Sequence, residues 1–163
     1  KGLEEHAARM AKEGKLIAQV ALPESCAHGT YFAPRAFEIP SLATLTREVF
    51  GPVLHVVRYA ARDLDAVIDA INATGYGLTL GIHSRIDSTV ARIQGRAKAG
   101  NCYVNRNMIG AVVGVQPFGG EGLSGTGPKA GGPHYLARFA TERTLTINTT
   151  AAGGNASLLT LGT

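Results

Sequence analysis

The chain has 163 residues, 45% of them hydrophobic and 17% charged. That balance suits a globular domain with a real core and excludes disordered and fibrous chains. The formal charge of +4 comes from 16 Lys and Arg against 12 Asp and Glu, but the basic residues are scattered. Nucleic-acid binding would gather them in a run or on one face.

The densest basic piece, "RIQGRAKAG" at 92–100, reads as the solvated side of a helix. Cys26 and Cys102 are too few and too far apart for a disulfide framework or a C-x-x-C metal site, so a reducing, cytoplasmic setting is expected. No apolar run approaches the ~20 residues that span a bilayer, and no membrane contact is expected. The start, "KGLEEHAARMAKEGK", lacks a signal peptide's apolar core and cleavage site, and also an initiator Met. The chain is therefore expected to be a piece of something longer.

In chain order, residues 2–13 place Leu3, Ala7 and Met10 on one helical face, with Gly14 as the stop. "KLIAQVAL" reads as a strand and "PESCAHG" as a turn; "TYFAPRAFEI" is a second extended piece, where Pro34 suggests an edge or a bulge. From Val53, "VLHVVRYA" suits a buried strand. Asp63 is placed to cap a helix with Leu64, Val67, Ile68 and Ile71 on its inner face. "LTLGIHS" is the next strand. Asp87 or Ser88 would cap a helix carrying Val90, Ile93 and Ala97 inward, Gly100 would close it, and "NCYVN" is a further strand. Strand, helix, strand, helix, strand implies right-handed crossovers. The expected fold class is α/β, a three-layer αβα arrangement with a mostly parallel sheet.

The stretch "QPFGGEGLSGTGPKAGGPHY" at 116–135 contains Gly120, Gly122 and Gly125 at dinucleotide-fingerprint spacing. A phosphate cradle needs a hydrophobic strand before the glycines and a helix beginning within them. "QPFG" is a poor strand, and Pro128 and Pro133 oppose a long helix. The P-loop form fails as well, because Thr126 follows Gly125. The loop is instead read either as a stiff surface turn or as a pocket wall presenting Phe118 and bare backbone amides to a small ligand.

Four stretches in register carry a family resemblance. "REVFGPV" at 47–53 resembles the E-x-F-G-P-V signature of aldehyde dehydrogenases, and "AGNCYVN" at 99–105 their strand before the substrate loop. "PFGGEGLSGTG" at 117–127 resembles their P-F-G-G-x-x-x-S-G-x-G loop, and "TERTLTIN" at 141–148 their final oligomerisation strand. "VVG" at 112–114 and "GGPHY" after the glycine loop resemble the glutamate-semialdehyde (Δ1-pyrroline-5-carboxylate) dehydrogenase branch. The ending "NTTAAGGNASLL" is similar to the tail of bacterial bifunctional proline utilization proteins, which fuse an FAD-dependent proline dehydrogenase to the aldehyde dehydrogenase.

The resemblance implies a partial aldehyde dehydrogenase catalytic (substrate) domain over residues 1–140, and an oligomerisation strand and tail over 141–163. It makes Glu48 the acceptor for the nicotinamide ribose hydroxyls of NAD and Phe50 the ring packed beside the nicotinamide. Without it, Glu48 would read as an exposed acid and Phe50 as a core aromatic. Phe118 corresponds to the aromatic lining the aldehyde tunnel. Gly110 and Ala111 correspond to the turn that anchors the substrate carboxylate through backbone N–H groups. Relatives can carry Ser at the position of Ala111, so this chain lacks that hydroxyl donor.

The family's nucleophile is a Cys thiolate in a short motif well upstream of E-x-F-G-P. Cys26 lies in a turn 22 positions before Glu48 and lacks the flanking pattern, and Cys102 falls within a strand. No catalytic residue is assigned in this chain, and no metal ligand. The nucleophile, the general-base Glu and the NAD-binding domain are expected before Lys1. The implied partners are glutamate semialdehyde, those upstream domains and further copies in a homo-oligomer. An aldehyde dehydrogenase for another substrate and a non-catalytic assembly module remain as alternatives.

Overall fold

The computed structural model describes residues 1–112, 114–125, 127–148 and 151. Val113 of the "VVG" stretch, Thr126 of the glycine loop and nearly all of the tail that carries the fusion resemblance lie outside them.

Helix α1 (Gly2–Glu13) ends at Gly14, whose N–H bonds to the Met10 carbonyl. It packs on a three-stranded sheet of β1 (Lys15–Gln19), β2 (Arg35–Glu38) and β3 (Val53–Val56) in the order β1-β2-β3. Ala7 and Met10 of the helix meet Phe37 and Ile39 in the main core, with Phe32, Leu45, Val53 and Val57 around them. On the opposite sheet face Leu54 is exposed and Ala36, Glu38 and Val56 are half-buried, and all of β1 is exposed. β1 runs antiparallel to β2 and β3 parallel to it.

Pro34 does not mark an edge or a bulge. β2 is the central strand, and Pro34 stands one residue before it, where the missing N–H breaks no ladder bond. Its carbonyl accepts from Val20 N at 2.9 Å. The register irregularity lies in β1, between Leu16 and Ala18.

Helix α2 (Leu64–Ala73) buries Ile68, and helix α3 (Asp87–Arg96) turns half-buried Val90 and Ile93 inward. Neither is capped as expected. Asp63 is the N-cap of α2 but makes no side-chain cap bond; its carboxylate lies 3.7 Å from Arg62. The N-cap of α3 is Ile86, so Asp87 and Ser88 already lie inside the helix. The two helices are tied by side chains instead. Asp65 accepts from Arg92 at 2.5 Å, Arg96 reaches both Asp65 and Asp69, and Asn72 bonds the Arg96 carbonyl and the Lys98 N–H. The Arg92 hydrogen bond is the main cause of a lowered Asp65 pKa.

Strand β4 (Tyr76–Gly77) pairs antiparallel with β7 (Glu121–Gly122), and β5 (Thr79–Ile82) pairs parallel with β6 (Asn101–Val104). Helix α3 ends at Arg96, and Gly100 opens β6 rather than closing the helix. The parallel pairs β2–β3 and β5–β6 belong to separate sheets among the described residues, so the single mostly parallel sheet is not formed within them. The "TERTLTIN" segment is exposed and outside every described strand.

Candidate functional site

Two cavities flank the glycine loop. One, of about 290 Å³, is lined by Gly110, Ala111, Gln116, Phe118, Ala130 and Gly131. All three expected substrate residues therefore meet at one place. Gly110 takes φ +74°, a left-handed conformation that glycine adopts at little cost. No described residue accepts from the N–H of Gly110 or of Ala111, so both donors are available to a ligand. Gln116 closes this turn: its N–H donates to the Val112 carbonyl at 2.7 Å, and its Oε1 accepts from Val112 N at 3.3 Å. Small residues at 110 and 111 leave room for an anionic group to approach the amides.

Phe118 reaches the same cavity because its backbone is held on both sides. Its N–H and carbonyl exchange bonds with Ala130 at 3.0 and 2.9 Å. Asn101, at the start of β6, donates to the Pro117 carbonyl at 3.0 Å and accepts from Gly119 N at 3.1 Å. Lys129 donates to the carbonyls of Gly100 and Gly119. Sequence reasoning missed Gln116, Asn101 and Lys129. The available signal was that Glu121 and Lys129 are the only Asp, Glu, Lys or Arg in 116–135.

The second cavity, of about 470 Å³, is lined by Glu48, Phe50, Tyr76, Lys98, Leu123 and Ser124 among others. The glycine loop thus contributes to both, and Ser124 anchors it by accepting from Gly77 N at 3.0 Å. Glu48 is exposed and its carboxylate has no partner among the described residues. Phe50 is 84% exposed, so it is not a core aromatic. A free carboxylate beside an exposed ring fits a polyol-bearing aromatic ligand such as a nicotinamide riboside.

The two thiols lie apart from these two linings. Cys26 sits in a single 3₁₀ turn (Glu24–Cys26), and Cys102 is half-buried on β6, where burial pushes its pKa up. No group of three or more His, Cys, Asp or Glu among the described residues could hold a metal ion. No helix among them is long and apolar enough to cross a membrane.

The aldehyde dehydrogenase family model matches residues 1–145. This chain is an aldehyde dehydrogenase family member. It is 58% identical over 139 residues to the bifunctional protein PutA of Rhizobium meliloti, covering 85% of this chain and 11% of that protein. It is 39% identical over 121 residues to the 1-pyrroline-5-carboxylate dehydrogenase of Geobacillus kaustophilus, covering 73% and 23%. A crystal structure of a mutant Proline Utilization A (PutA) from Bradyrhizobium japonicum superposes with a TM-score of 0.84 at 62% identity, over 92% of this chain and 15% of that one. A Thermus 1-pyrroline-5-carboxylate dehydrogenase with bound NAD gives 0.72 at 37% identity, over 83% and 26%. The chain spans about a tenth of the curated PutA proteins it matches, so this family member carries only a small part of such a protein. Its mixture of helices and strands is that of its family neighbours.

Proposed function

We propose that this chain forms the C-terminal part of an NAD-dependent L-glutamate γ-semialdehyde (1-pyrroline-5-carboxylate) dehydrogenase, within a bifunctional protein that also oxidises proline through an FAD-dependent domain. The observation that carries the reading is the cavity shared by Gly110, Ala111 and Phe118. The substrate is a short aldehyde with a carboxylate at its far end. The Gly110 and Ala111 amides bind that carboxylate as an anion nest. The Phe118 ring packs against the methylenes between the two ends and keeps water from the reacting carbonyl.

Glu48 accepts hydrogen bonds from the ribose hydroxyls of NAD, and Phe50 sets the face of its ring. NAD supplies the hydride acceptor when bound. The glycine loop contributes Phe118 to the aldehyde cavity and Leu123 and Ser124 to the cofactor cavity, so one segment helps to shape both positions. The thiolate nucleophile and general base belong to other polypeptide, since Cys26 and Cys102 lie outside both groups of residues discussed above. The full domain completes a three-layer αβα arrangement with a mostly parallel sheet, a reading supported by the parallel pairs β2–β3 and β5–β6. The two free thiols suit a reducing cytoplasm.

The test is NADH formation from glutamate semialdehyde. The full-length protein carrying this chain is expected to give it, and purified residues 1–163 are expected to give none. Signal from the isolated chain would overturn the division of labour; silence from the full-length protein would overturn the assigned reaction.

A further inference from the structure

We infer that Lys129 and Asn101 are positioning residues that set the aldehyde-binding loop, an inference that rests on the functional reading above. The Lys129 ammonium has three donors and no acceptor. Three oxygens receive them: the Gly100 carbonyl, the Gly119 carbonyl at 2.7 Å and Asn101 Oδ1 at 3.4 Å. None is a carboxylate, so the charge serves to collect dipoles from two segments rather than to balance an acid.

Asn101 completes the arrangement from the strand side. It is 8% exposed, and its amide spends both ends on the loop, donating to Pro117 O and accepting from Gly119 N. With the Phe118–Ala130 exchange, the backbone polar groups of residues 117–119 are all engaged. Gly100 makes the approach possible: a Cβ there would collide with the Gly119 carbonyl and lie 2.8 Å from Lys129 Nζ. The ammonium therefore sits where β6, the Phe118 segment and the Ala130–Gly131 wall converge, yet it does not itself line the cavity.

Neither side chain touches the proposed substrate. They act through Phe118 on one wall and through Ala130 and Gly131 on the other. Loosening them lets the ring drift, and displacements near 1 Å in a binding site change rate or affinity by up to ~100-fold. Glu48 and Phe50 line the other cavity, and none of the Lys129 and Asn101 side-chain bonds reaches either of them.

The experiment compares Lys129→Met, which keeps the aliphatic stem, and Asn101→Asp, which keeps Oδ1 and loses the bond to Pro117, in the full-length protein. Steady-state kinetics are expected to show KM for glutamate semialdehyde raised about tenfold in each, with KM for NAD within about twofold of the unsubstituted enzyme. Lys129→Arg, which retains a charged donor, is expected to recover part of the loss. An unchanged semialdehyde KM in folded Lys129→Met overturns the inference alone. A parallel rise of both KM values with a lowered Tm also overturns it, because it marks a general structural defect. Absence of NADH from the unsubstituted enzyme overturns the functional reading and this inference together.

Discussion

At the scale of single residues, the turn at Gly110 and Ala111 offers two amides where a third donor has space to stand. Ala111 is only half-buried, so a hydroxyl added there meets the ligand without crowding the core. Ala111→Ser in the full-length protein is expected to lower KM for glutamate semialdehyde about twofold to twelvefold, the value of one further net hydrogen bond of ~0.5–1.5 kcal/mol. KM for NAD is expected to stay put, and initial rates with each substrate varied in turn check both. A rise in semialdehyde KM would place the carboxylate elsewhere. The family motifs made Gly110, Ala111 and Phe118 legible in the sequence, because each falls at a fixed place in a recognisable string. Asn101, Gln116 and Lys129 were not legible in the same way. The roles of Asn101 and Lys129 exist only once segments up to 29 positions apart are brought together, and Gln116, which bonds Val112 four residues away, is an amide that announces no partner.

At the scale of elements, the three helices and the strands β1, β2, β3, β5 and β6 followed from periodicity, whereas their ends did not. The two-residue strands β4 and β7 lie in glycine-rich stretches too short to show a period. Asp63, Asp87 and Ser88 had the chemistry of caps, but the backbone starts α2 and α3 without using it. The arginine–aspartate ties between these helices are solvent-screened surface pairs and add little to stability. A less expected tie joins α1 to β3. His6, 5% exposed, and His55 meet with Nε2 to Nε2 at 2.9 Å and rings edge to face. One imidazole must be neutral to accept from the other. Burial lowers both pKa values below the ordinary 6.5; Arg9 and Arg47 lower His6 further against an opposing effect of Glu13, and His6 and Arg9 lower His55 further. The unfolded chain then binds more protons than the folded one just below pH 6.5, so stability rises with pH across that window. It is held in full above 6.5 and lost as pH falls from 6.5 towards the lowered folded values. Denaturant midpoints on either side of pH ~6.5 are expected to differ in this sense, and His55→Phe is expected to flatten the difference. An equal slope in that variant would assign the pH dependence to other groups.

At the scale of the whole molecule, the most conspicuous unused material lies in residues 141–148. They alternate Thr144, Thr146 and Asn148 with Leu145 and Ile147, the pattern of a strand with one apolar face. Leu145 is 75% and Ile147 69% exposed, and no described strand pairs with the segment. The sequence carried the pattern, but the pairing partner of such a strand need not be in the same chain. Extended apolar edges in stable proteins are usually covered or interrupted by charge. We expect this one to be covered by another copy. Replacing Leu145 and Ile147 with Lys in the full-length protein leaves the backbone pattern intact while charging the apolar face, which is expected to lower the assembly to a smaller species in multi-angle light scattering. Removal of residues 141–163 is expected to give the same number of subunits as the double substitution. If both variants keep the subunit number of the parent, the segment takes no part in assembly, and Leu145 and Ile147 are covered by some other portion of the same polypeptide.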